Sequence, residues 1–426
     1  MRAIWSGRRA RLLIAILLVI AAGCAYEIVH GGSVNQSKTE QVVSGIQKLR
    51  ELRFKRQVPI VVEDRVQAQQ DLIAQTSHDY SDERLALDGT TGAMIGLYPA
   101  GINLKQDSIG LLMDEVAGFY DPYQDRMVLV KGSLPTGLWV DAVEFANRRD
   151  ITGEMLLAHE LTHALQDQNF GLQAMLEAAK DNDDRVLALK SVAEGDATIA
   201  GFAYVMGGMS QALADRVTAS LADISTTFGS ETKGIPEGLS APLLFQYTQG
   251  VRFVAEAWRR GGWSAVDRLY VNPPQSSQQI ADPALYFEKP TWPAAVRIMG
   301  FKREMEGWRV VDTNTVGEFS LGLILKRSFG TENGHDAAKH WAGDQLITLA
   351  RDSLVGVIWM IAFDSDWAAE RFAAAYVTPL DEAVGGTMPH RIDYRGNAVL
   401  VLIGDPADRF DTIGPSIWAA SLISHR

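Results

Sequence analysis

Six consecutive residues restrict this chain more than any others: Ala158-His159-Glu160-Leu161-Thr162-His163. They lie in a segment, Ile151 to Phe170, whose apolar positions recur with helical spacing. Asp150 is a good N-cap for that helix, and no Pro or Gly follows Gly153 within it. Residues four apart on a helix share one face, about one turn apart, so His159 and His163 can aim their imidazoles at one point. Two neutral imidazoles so placed suit Zn²⁺, and Glu160 is placed to act as general base on a metal-bound water. The competing reading is two histidines sharing a helix by coincidence. A chain with 8 His and 52 Asp plus Glu in 426 residues holds about 0.02 such matches by chance, which favours the metal.

Two histidines leave a tetrahedral zinc short of a third protein ligand and one open position. No His occurs between His163 and His335, and positions 166 and 169 are Gln and Asn, so a third histidine close downstream is excluded. A carboxylate is the natural alternative. The best candidate is Glu194, in Ser191-Val192-Ala193-Glu194-Gly195-Asp196-Ala197-Thr198. The surrounding stretch, Val186 to Met206, is largely apolar. An acid there would cost several kcal/mol if buried unpaired, and a metal removes that cost. The competing reading is that Glu194 or Asp196 faces solvent or pairs with Arg185 or Lys190.

The N-terminus reads as a targeting segment over residues 1–24. Arg2, Arg8, Arg9 and Arg11 form a basic region, Leu12 to Ala22 is an unbroken apolar run, and Gly23 and Cys24 follow. The run is short for a membrane span but right for a signal-peptide core. Cys24 is the only cysteine, so no intramolecular disulfide is possible. Ala21-Ala22-Gly23-Cys24 resembles a bacterial lipobox, which implies a lipidated Cys24 and an exported chain anchored to a membrane of the cell envelope. An uncleaved anchor is the alternative. Residues 25–38 read as a flexible tether.

Further along, helical patterns are expected at Thr39 to Phe54 and Asp64 to about Gln75, with a short strand at Pro59 to Val62 and a loop-rich segment from Asp88 to Gln106. Glu115 to Val130 reads as a hairpin around Asp121-Pro122-Tyr123-Gln124-Asp125. After Gly207-Gly208 the chain is expected to be mainly helical to Tyr270, with a polar loop from Ser225 to Ser240. From residue 300 the character changes. Strands are expected at Trp308 to Val311, Leu346 to Leu349 and Val355 to Phe363, and helices at Glu318 to Lys326 and Trp367 to Tyr376, an α+β appendage. His335 and His340 fall in it, each more often a core or surface residue than a ligand. The net charge of −12 makes nucleic acid an unlikely partner.

H-E-L-T-H-A-L-Q-D-Q (159–168) followed by A-E-G-D-A-T (193–198) resembles the gluzincin zinc metallopeptidases. More narrowly, these stretches resemble a set of bacterial metallopeptidase-like envelope proteins, as do G-F-Y-D-P (118–122), Tyr247 to Gly250, Gly261-Gly262-Trp263 and Pro273 to Ile280. The likeness spans roughly residues 40–290. It implies His159, His163 and Glu194 as ligands, Glu160 as base, and a strand before the metal helix whose free edge borders the cleft. In thermolysin-like gluzincins an acid one turn after the Glu ligand supports the first His. That position is Thr198 here, so Asp196 is the candidate supporting group.

The expected architecture is therefore α+β. A mainly helical zincin-like unit with a small edge sheet covers residues 39–295, and a C-terminal α+β domain at 300–426 packs on it. The expected chemistry is metal-assisted hydrolysis of a peptide or protein, with Tyr247 or Tyr204 as candidate donor to the tetrahedral oxyanion. A second function class is a metallopeptidase-like lipoprotein that has lost activity and serves as a binding or assembly factor. The complete H-E-x-x-H favours the hydrolase, since a purely structural site has no need of Glu160.

Overall fold

The computed structural model describes residues 27–30, 32–115, 117–131, 144, 149–220, 234–386 and 388–424. Cys24 and the rest of the expected signal peptide lie outside them, as do residues 225–233 of the expected polar loop, whose last four residues, 237–240, instead open a helix, Glu237–Phe245. The fold is α+β. Elements are numbered here in chain order. The described residues form two compact units.

The first unit takes in the described residues up to Gln75, then 112–171 and 196–217. Its strands are β1 (Val29–His30), β2 (Ser33–Val34), β3 (Ile60–Glu63), β4 (Gly118–Asp121) and β5 (Arg126–Val130). β3 pairs parallel with β5, and β4 pairs antiparallel with β5, so β4 is an edge strand. The expected hairpin is present. Its turn closes because the Asp121 carboxylate accepts from the backbone N–H groups of Tyr123 and Gln124 at 2.9 and 3.1 Å. Asp125 completes the turn with φ 52°.

Helix α1 (Gln36–Arg50) packs against α5 (Ile151–Phe170), the helix that carries the histidines. Both begin as their sequences dictate. Asn35 caps α1 through the N–H of Lys38, and Asp150 caps α5 through the N–H of Gly153 at 2.7 Å. α5 ends at Gly171, whose φ of 71° favours a residue without a side chain. Leu157, Ala158, Leu161, Ala164 and Leu165 of α5 are fully buried.

Within the expected flexible tether, Val29–His30 pairs antiparallel with Ser33–Val34. Ile28 is 1% exposed, and its N–H donates to Asp150 Oδ2 at 2.7 Å. The physical reason is the apolar Ile28, together with an N-cap carboxylate that has a second oxygen to offer.

The second unit comprises residues 76–111, 172–195 and the described residues from 218. This unit includes residues on both sides of 295–300, where the sequence suggests a boundary. The C-terminal sheet and its helices form one compact unit with α3 (Asp82–Met94) and with α6 (Leu172–Ala179). The Tyr376 hydroxyl donates to the Ile95 carbonyl at 2.8 Å, and Thr91 and Thr348 share a hydroxyl hydrogen bond. The segment expected to be loop-rich is helical up to Met94 and again from Leu104, in α4 (Leu104–Glu115). Ser81 caps α3. Gly92 reads as a breaker, but a Cβ there would lie 2.3 Å from the Tyr98 ring, so the glycine makes room for packing. Helices α2 (Arg65–Asp79), α4 and α7 (Asp183–Val205) each run unbroken past a unit boundary.

After the short strand β6 (Ala295–Arg297) comes the main sheet of this unit, antiparallel, in the order β10 (His390–Arg395), β11 (Ala398–Ile403), β9 (Leu354–Phe363), β8 (Trp341–Arg351), β7 (Arg309–Asn314). Both its faces are covered. Val357, Trp359, Ile361 and Phe363 face one core with Leu321, Phe372 and Tyr376. Ile358, Met360 and Ala362 face another with Ile413 and Ile417. Burial on both faces explains why β9 and β11 read as continuous apolar runs.

Asp344 joins the sheet to the helix starting at Gly317. Its carboxylate accepts from the N–H groups of Val316 and Gly317 at 2.9 and 3.0 Å, and from the indoles of Trp341 and Trp359, both at 2.9 Å. Asp344→Ala strands four buried donors. It should lower stability by about 3–5 kcal/mol, read as an earlier midpoint in urea unfolding followed by tryptophan fluorescence.

Candidate metal centre

The histidines meet as their spacing requires. His159 Nε2 and His163 Nε2 are 3.2 Å apart, with the rings edge to face. Two nitrogen ligands at about 2.0–2.1 Å from a tetrahedral zinc would stand about 3.3 Å apart. The pair therefore already has the separation that a shared cation demands.

A chain of buried groups settles the proton on His163. Its Nδ1 lies 2.9 Å from Gln166 Oε1. Gln166 Nε2 donates to Asp196 Oδ2 at 3.1 Å. A carboxylate only accepts, so the amide nitrogen must face Asp196 and the amide oxygen must face His163. That oxygen needs a donor, so the His163 proton sits on Nδ1 and a lone pair remains on Nε2. Arg50 fixes Asp196 in turn, through an ion pair at 2.8 Å and a hydrogen bond at 3.1 Å, with both side chains 0% exposed. Asp196 thus reaches His163 through Gln166. It pairs with Arg50 and not with Arg185 or Lys190.

Gln166 and Arg50 were not singled out by sequence reasoning. A signal existed for Gln166. It is three residues after His163, on the same helical face, and a glutamine inside an apolar helix needs a partner. Arg50 had none, because its partner is 146 residues away.

Glu160 is 9% exposed, and one of its oxygens accepts from the Tyr120 N–H of β4 at 3.2 Å. In an antiparallel strand a residue's N–H and C=O point to the same side. Ala117, at the start of the strand, bonds β5, and Tyr120 points the other way. The outer edge of β4 is therefore occupied at Tyr120 by the Glu160 carboxylate, not left open there.

A second bracket holds the far end of α5. Gln168 Oε1 accepts from the N–H groups of Lys55 and Arg56 at 2.8 and 3.0 Å, and its Nε2 donates to Asp125 at 3.1 Å. Asp125 also accepts from the Tyr120 hydroxyl at 2.7 Å and pairs with Arg56. Burial would raise the Asp125 pKa, but the hydrogen bonds from Arg56, Tyr120 and Gln168 outweigh it and hold the carboxyl below its ordinary value.

Helix α7 passes α5 at Gly201, where a Cβ would lie 3.0 Å from the Met155 carbonyl and 3.6 Å from the His159 Cβ. Glu194 is seven residues earlier on the same unbroken helix, close to two turns and so on the same face. One carboxylate oxygen of Glu194 and one nitrogen from each of His159 and His163 lie within 4.8 Å of one another. Among the described residues this is the one such group of three or more His, Cys, Asp or Glu. Two imidazoles and one carboxylate fit zinc in donor type and in number, with one position left open.

Tyr247 falls in a single π-helical turn, Gln246–Gly250. That turn lies backbone to backbone on α7, since a Cβ on Gly195 would meet the Gly250 carbonyl at 2.4 Å. Tyr204 sits elsewhere. Its ring packs on Gly45 of α1, where a Cβ would be 2.4 Å away, and burial beside Glu154 raises its pKa. His335 stacks on Phe319, and His340 pairs with Asp364 at 2.8 Å. Neither belongs to the metal cluster.

Residues 305–410, within the second unit, match the profile of a domain of unknown function, DUF8575. No curated protein and no solved structure matches the chain.

Gln166→Leu keeps the bulk of the side chain but removes the acceptor for His163 Nδ1. Zinc affinity should fall about 10- to 100-fold in a competition titration against a chelator, with helical circular dichroism unchanged.

Proposed function

We propose that this protein is a zinc-dependent peptide-bond hydrolase of the bacterial cell envelope, exported and held to a membrane through a lipidated Cys24. The observation that carries the reading is the 3.2 Å approach of two Nε2 atoms beside the Glu194 carboxylate. The buried chain from Arg50 through Asp196 and Gln166, which sets the His163 tautomer, supports it further. A helix with two incidental histidines has no use for such a chain.

His159, His163 and Glu194 would hold the zinc. When bound, zinc supplies Lewis acidity, which lowers the pKa of water towards about 7 and polarises the scissile carbonyl. Glu160 takes the proton of the attacking water and passes it to the leaving amine. The Tyr120 N–H keeps that carboxylate from swinging away from the histidines on the same helix. Tyr247 is the candidate donor to the oxyanion, carried by the π-turn that lies on α7 next to Glu194. The substrate is a peptide or protein. The net charge of −12 argues against nucleic acid.

Glu160→Gln keeps the acceptor for the Tyr120 N–H but removes the base. Bound zinc should stay unchanged while peptide cleavage falls by about 10²- to 10⁴-fold, measured on purified protein with a quenched fluorescent peptide library. Equal cleavage by both proteins would contradict the role given to Glu160.

A further inference from the structure

The chain enters the fold abruptly. The Ile28 side chain is buried, its N–H is bonded to the N-cap carboxylate of α5, and its carbonyl accepts from Asn35 at 2.8 Å. Asp150 serves both partners at once, with Oδ1 on Gly153 and Oδ2 on Ile28. Burial raises the Asp150 pKa, and these two N–H groups work against that. The lead is therefore built into the start of the metal helix.

Between Cys24 and Ile28 the chain can span at most about 14 Å, even fully extended. From Asp150 to His159 is about 14 Å along the helix. A free coil over residues 25–38 would instead reach up to roughly 50 Å. The body has no net positive charge to draw it to an anionic bilayer, because the whole chain carries −12 even with Arg2, Arg8, Arg9 and Arg11 of the expected signal peptide counted. Placement near a membrane has to come from this short lead.

We propose that docking of Ile28 on the N-cap of α5 holds the metal centre within about 35 Å of the bilayer surface, and that its substrate is the membrane-proximal part of a polypeptide anchored in the same membrane. The substrate class rests on the hydrolase reading above; the placement rests on the docked lead and on lipidation of Cys24. Anchorage on so short a lead raises the effective concentration of near-surface cleavage sites and puts distant ones out of reach.

The test uses the full lipidated chain in phosphatidylethanolamine/phosphatidylglycerol vesicles carrying a headgroup-labelled acceptor lipid. A donor dye sits on Gln41→Cys, the one free thiol once Cys24 carries its lipid. The comparison is a variant with a 20-residue Gly/Ser insertion between Ala25 and Tyr26, which leaves the fold from Ile28 onward untouched. The insertion should at least halve energy transfer and leave zinc content and soluble-peptide cleavage unchanged. It should also lower cleavage several-fold for a vesicle-anchored polypeptide cut near its anchor, while cleavage of one cut some 40 residues out rises. Equal energy transfer in the two proteins, an unlipidated Cys24, or an unchanged near-to-far cleavage ratio would overturn the proposal. If neither protein cleaves even the soluble peptide, the hydrolase reading fails and the substrate class falls with it, while energy transfer still decides the placement.

Discussion

The ion pair between Arg50 and Asp196 is fully removed from water, and the candidate centre depends on it. Such a pair adds little net stability, because desolvation of both charges offsets their attraction. Its consequence is directional. Asp196, pinned by Arg50, can accept from only one side of Gln166. Gln166 is thereby turned to present its oxygen to His163, and the imidazole lone pair is turned towards His159. Removing any member would leave a buried polar group without its partner, at about 1–3 kcal/mol or more. The network therefore holds one orientation even though it contributes modestly to folding.

The same economy of backbone groups appears around it. Tyr120 uses its N–H on Glu160 and its hydroxyl on Asp125. Gln168 ties the residues after α1 and the β4–β5 turn to the end of α5. The helix that carries the histidines is thus gripped at its cap by Asp150, at its middle by β4 and at its end by Gln168. The positions of the two histidines then follow from helical geometry alone.

Much of this was legible in the sequence, for identifiable reasons. Spacing on a single helix is local, so H-E-x-x-H declared both the helix and the shared face. Glu194 stood out because an acid amid Val192, Ala193 and Ala197 needs a reason to be there. The hairpin at Asp121 to Asp125 announced itself through turn chemistry. Arg50 could not be read, since nothing near it in the chain hints at a buried carboxylate. Among the residues after Cys24, Gly31, Gly32 and Ser33 look like a linker, whereas Ile28 decides the outcome by burial. Gly89 and Gly92 misled in the opposite sense: glycines that suggest a loop stand in a helix because Ile102 and Tyr98 press against it. Contacts such as Tyr376 to Ile95, which link residues 281 positions apart, likewise leave no local trace in the sequence.

The account turns on whether Glu194 completes a zinc site with His159 and His163. Zinc K-edge X-ray absorption on the stoichiometrically loaded protein, compared with Glu194→Ala, tests this most directly. The account predicts one zinc per chain with two imidazoles and oxygen ligands in its first shell. The variant should lose a protein oxygen ligand and hold the metal more weakly. A first shell and an affinity that are the same in both proteins, or a wild-type chain that takes up no zinc, would contradict it.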